Sequence, residues 1–119
     1  MNDQIIATNI PQDNKQNKRR LYSLINATDT VKLSKAQGLD LTVKDFAIFE
    51  RTRHDTGETQ TVFVMSDEKG TIYGTTAGAV IDTLRRFFSF FEAEDLERIH
   101  VSSIRSKAGR EYTSINILA

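Results

Sequence analysis

The residues best equipped for chemistry in this chain are aromatic rings interleaved with cations. Phe49 is followed by Arg51, Arg53 and His54; Phe63 stands between Val62 and Val64; Tyr73 follows Ile72 and precedes Gly74. Near the C-terminus Arg105, Lys107, Arg110 and Tyr112 form a second basic and aromatic group, and Lys44 precedes the first. Flat rings beside cations suit a single nucleic-acid strand, because bases stack on the rings at roughly 1–3 kcal/mol each while cations follow the phosphates. Each residue also has a plainer reading. Phe63 lies in a nearly continuous apolar run, VFVM, so burial competes with a role as a platform. Gly74 permits close approach of a nucleotide or of another backbone, or merely helps the strand to coil. Lys107 and Arg110 flank an expected turn, where charge keeps a surface soluble. Lys15, Lys18, Arg19 and Arg20 make a further basic run, read more simply as solubilising than as touching phosphate.

Catalytic chemistry finds little footing. There is no cysteine, so no thiolate metal site, thiol nucleophile or disulfide can exist. His54 and His100 are the only histidines and lie on different expected strands without a metal-ligand spacing. Acid pairs such as Asp40 with Asp45, or Asp67 with Glu68, fall where turns are ordinarily acidic, and YGTTAG lacks the lysine ending of a phosphate loop. No catalytic residue, metal or cofactor is expected. In a chain of 119 residues the 16 basic and 16 acidic side chains cancel, so a phosphate-binding surface requires the cations to be sorted onto one face. No apolar run is long enough for a signal peptide or a membrane span, which points to the cytoplasm.

These residues need a scaffold, and periodicity supplies one. Residues 1–17, polar apart from Ile5 to Ile10, are expected to form a flexible N-terminal arm, and 18–119 a single folded domain. Leu21, Leu24 and Ile25 predict a short helix from Lys18, stopped by Asn26 and the Thr28 to Thr30 cluster, followed by a turn-like stretch to Gly38. Alternation from Leu39 to Arg53 predicts a long first strand whose phase changes near Lys44 and Asp45, as one extra residue would cause. DTGE, a strand TQTVFVMS, a DEKG turn and a strand TIYGT complete a three-stranded meander. Thr76 is placed to cap a helix in which Val80, Leu84, Phe87, Phe88 and Phe91 form one stripe. An acidic link, Glu92 to Glu97, leads to strands IHVSSIRS and EYTSINIL around the turn KAGR. An all-β fold with added helices follows: five strands, a helix between the third and fourth, and a short N-terminal helix. That is the element order of the oligonucleotide/oligosaccharide-binding (OB) barrel.

The succession LYSLINAT, LTVKDF, DTGE, the YGTT to LRRFFSFF passage and a terminal hairpin ending in INIL resembles the small single-stranded-DNA-binding proteins of lactococcal and related siphophages. The likeness runs over residues 18–118. It implies an OB-fold protein that coats single-stranded DNA in phage replication or recombination inside the infected bacterial cell, usually as a homodimer, and that assists a host recombinase. It also places the site in the groove of the second and third strands. Alternation there nominates Phe49, Phe63, Tyr73 and Tyr112 to stack bases, with Lys44, Arg51, Arg53, Arg105, Lys107 and Arg110 on the backbone. The competing reading is an OB-type protein-interaction or virion-assembly module that never meets nucleic acid.

Overall fold

The break in alternation at Lys44 is where the chain passes from one sheet to another in the computed structural model, which describes residues 4–89, 97–105 and 111–118. In chain order the elements are β1 (Gln4–Thr8), α1 (Lys15–Ile25), β2 (Val31–Lys32), a 3-10 turn (Leu33–Ala36), β3 (Asp40–Val43), β4 (Asp45–Thr52), β5 (Thr59–Ser66), β6 (Ile72–Thr75), α2 (Gly78–Phe88), β7 (Glu97–Arg105) and β8 (Glu111–Leu118). The long first strand is thus two strands. β3 pairs with β7 in a sheet ordered β3-β7-β8, whereas β4 belongs to a mixed sheet ordered β1-β4-β5-β6-β2, in which β2 runs parallel to β6. The edge of β4 away from β5 is taken by β1. Among the described residues the two sheets therefore do not join into the closed five-stranded barrel expected from the element order. What stands is a small, mostly-β fold with two helices.

The phase change has a packing consequence. Leu41 and Val43, at odd positions of β3, and Phe46 and Ile48, at even positions of β4, all enter one core. Without the extra residue at Lys44, one pair would face the wrong side. Phe63, Met65 and Tyr73 join this core from β5 and β6; Val80, Ile81, Leu84 and Phe87 join it from α2, and Ile99 and Val101 from β7. The helical stripe predicted for α2 is therefore its buried side, and half-buried Phe88 stacks on Phe46 with ring centroids 3.8 Å apart. Phe91, residues 92–96 of the acidic link and the turn 107–110 lie outside the described residues.

A second core covers the opposite face of the larger sheet. Ala47, Phe49 and Val64 point away from the first core and are packed by Ile10 and by Leu21 and Leu24 of α1. α1 begins three residues before Lys18, where the Asn14 side chain accepts from the backbone N–H of Asn17 at 2.8 Å. The expected N-terminal arm is instead anchored. β1 pairs with β4, and the Asn9 side chain accepts from Phe46 N at 2.8 Å and donates to Lys44 O at 2.9 Å. Thr76 does not cap α2 either. The cap is Ala77, with no side-chain bond, and the preceding hydroxyl, Thr75 Oγ1, accepts from Ala77 N at 3.1 Å. Among the described residues no helix is long and apolar enough to cross a membrane.

Candidate nucleic-acid interface

The three strand aromatics do not form one platform. Register decides this: in the β4–β5 ladder Phe63 stands opposite Ile48, and Phe49 opposite Val62, so Phe49 and Phe63 project from opposite faces of the sheet. Phe63 is fully buried in a ring cluster with Phe46 at 6.3 Å and Phe88 at 6.4 Å. Tyr73, paired with Met65, faces the same core and is 9% exposed. Phe49 is fully buried on the other side, beneath Arg51, whose guanidinium carbon lies 4.9 Å from the ring centroid. In this structure none of the three rings offers a face to a base. Alternation separates the two sides of a strand, but it cannot say which is wet when both are covered.

The nominated cations are dispersed. Lys44 is exposed at the kink between β3 and β4. Arg53 sits in the β4–β5 turn, paired with Asp55 at 2.9 Å. Arg105 and Tyr112 are at the hairpin end of β7 and β8, in register positions facing Glu111 and Ile104, while Lys107 and Arg110 lie outside the described residues. Arg51 is half-buried and donates from Nη2 to the Ile25 carbonyl at 3.0 Å. That contact caps the C-terminal end of α1 with a cation, the sign its dipole favours. The structure therefore brings together Arg51 and Phe49, and leaves the other candidates apart.

Beside Arg51 the outer face of the larger sheet opens into a cleft of about 560 Å³. Phe49, Val62, Val64 and Gly74 line it, together with Lys32 and Thr75. Gly74 is needed by the chain itself. A Cβ at that position would stand 2.9 Å from Thr30 Cγ2 and 3.2 Å from Phe63 O, and Thr30 is held by its hydroxyl donating to Ala27 O at 3.2 Å. Gly74→Ala is expected to cost about 1–3 kcal/mol by overpacking. Thr30→Ser, which removes the opposing methyl and keeps the hydroxyl, should recover part of that loss in a urea-denaturation double-mutant cycle.

α1 carries the basic run that includes Lys15, Lys18, Arg19 and Arg20. Its residues, KQNKRRLYSLI, include four cations and no carboxylate. Arg20 reaches Asp45 at 2.6 Å. Lys15, Lys18 and Arg19 are exposed, and among the described residues none has an ion-pair or hydrogen-bond partner for its side chain. Arg19, Arg20 and Ser23 also line a groove between α1 and the sheet that reaches Gly70 and Ile72. Of the histidines, His54 is exposed in a turn, and His100 Nδ1 lies 2.6 Å from Asp40 Oδ1, tying β7 to β3. Among the described residues no three His, Asp or Glu side chains gather as metal ligands. Scans of protein-family models, of curated proteins and of solved structures found no match to the chain.

Proposed function

We propose that the protein is a non-catalytic, sequence-tolerant single-stranded-DNA-binding protein that works in the bacterial cytoplasm during phage replication or recombination. The strand would be held on the outer face of the larger sheet. The observation that carries this reading is charge sorting. In a chain of zero net charge, α1 gathers four cations without one carboxylate. It lies on the sheet face where Lys32 and Arg51 line the open cleft. Phosphates require such a concentration of positive charge, and bases require apolar surface nearby. The resemblance of residues 18–118 to phage single-strand binders supports the reading. Two copies in a homodimer would double the phosphates neutralised.

The test is a fluorescence-anisotropy titration of labelled oligo(dT), beside a duplex of equal length, as salt rises from about 50 to about 200 mM. The oligonucleotide is expected to bind more tightly than the duplex. A log–log salt slope near −3 is expected if about four phosphates are neutralised, at about −0.7 each for a single strand. Absence of binding at low salt, or affinity indifferent to salt, would overturn the proposal in favour of a protein-interaction module.

A further inference from the structure

We infer that the exposed face of α1 formed by Lys15, Lys18, Arg19 and Tyr22 is a DNA-contacting surface in which Tyr22 stacks on a base while the three cations meet the flanking phosphates. The inference rests on the single-strand reading above and assigns it a new site, away from the strand aromatics.

The spacing is the first reason. Relative to Lys15, the other three stand at i+3, i+4 and i+7, the positions that share one side of a helix over two turns of about 5.4 Å each. Together with Ser23 they line one shallow depression of about 430 Å³. Arg19 and Ser23 belong also to the neighbouring groove, so this surface continues towards the sheet.

Exposure is the second. Tyr22 is 66% exposed, whereas its helix neighbours Leu21 and Leu24 are buried and do the packing. An aromatic ring so open adds little to the fold and leaves much of its surface available to a base.

The third reason is what the helix tolerates. Lys15 occupies the first turn, where positive charge opposes the helix dipole, and no acidic residue offsets it there. Lys15 with Lys18, and Lys15 with Arg19, are like charges at i, i+3 and i, i+4, which repel. None of the three cations has a described side-chain partner. Their arrangement weakens an isolated helix, and a polyanion laid across it would relieve the repulsion.

Four forms of the full chain test the assignment on oligo(dT): wild type, Tyr22→Ala, Tyr22→Phe, and the triple variant Lys15→Gln/Lys18→Gln/Arg19→Gln. These are surface positions, so the variants should fold, as circular dichroism will verify. Tyr22→Ala is expected to weaken binding by about five- to a hundredfold, the loss of one stacked base. Tyr22→Phe should keep affinity within about twofold, because the ring face is retained. The chain has three tyrosines and no tryptophan, so emission reports tyrosine alone. Most of the DNA-induced change in that emission should vanish in Tyr22→Phe even though binding persists. The triple variant should flatten the salt slope by about 2. Wild-type binding that neither Tyr22→Ala nor the triple variant alters would overturn this inference while leaving the function standing. Failure of the wild type to bind oligo(dT) would overturn both.

Discussion

Phe63→Ala is expected to lower the stability of the fold by about 3–5 kcal/mol, read as a large fall in the urea midpoint at an unchanged denaturant slope. The ring is fully buried at the centre of the larger sheet. It sits 6.3 Å from Phe46 and 6.4 Å from Phe88, which themselves stack at 3.8 Å. Alanine would leave a cavity between β5 and α2 that rigid strands on either side cannot close. Domains of this size are stable by only about 5–15 kcal/mol, so the variant would forfeit about a fifth or more of the total. A ring serving only as a surface platform would behave in the opposite manner, losing affinity for DNA and leaving the midpoint where it was. An unchanged midpoint would place Phe63 outside the core.

Removal of residues 1–10 should be nearly as damaging. A flexible arm could be cut away at no cost, but residues 4–10 complete the fold on one edge and one face. Ile10 is 2% exposed, packed with Leu21, Leu24 and Phe49. Thr8 Oγ1 donates to Phe46 O at 2.6 Å and accepts from Ile10 N at 3.1 Å. Asn9 satisfies Phe46 N and Lys44 O at the point where the chain changes sheets. Loss of the Ile10 side chain, together with a backbone N–H left without its partner, should cost about 3 kcal/mol or more. Thermal unfolding of the truncated chain measures it, and a melting temperature equal to the parent's would mean that β1 contributes nothing.

Legibility in the sequence followed the strength of local pattern. β5 was readable end to end because TQTVFVMS lies between two turns, DTGE and DEKG, whose glycines Gly57 and Gly70 take φ of +72° and +84°. The shift at Lys44 was readable because the apolar residues change parity there. α2 was readable from its stripe. β1 was not, since QIIAT is short and its partner β4 lies some forty residues on, beyond the reach of any local rule. The site fared worse for a related reason. Alternation turns Phe49, Phe63 and Tyr73 outward only if one side of each strand is wet, whereas the rings themselves lie under packing, Phe63 and Tyr73 beneath α2 and β7 and Phe49 beneath α1 and Ile10. Lys15, Lys18 and Arg19 read as solubilising because basic runs commonly do no more. The clue that was available is the absence of any acid from Lys15 to Ile25, with Tyr22 on the same side of the helix.

Amide chemical-shift mapping of the full chain during titration with oligo(dT) tests most directly where the strand lies. Binding across the outer face requires the largest changes in residues 15–23 of α1, with further changes at 30–34 and 74–77 around the cleft. Changes confined to α2 or to the β7–β8 hairpin, or none at saturating oligonucleotide, would contradict it.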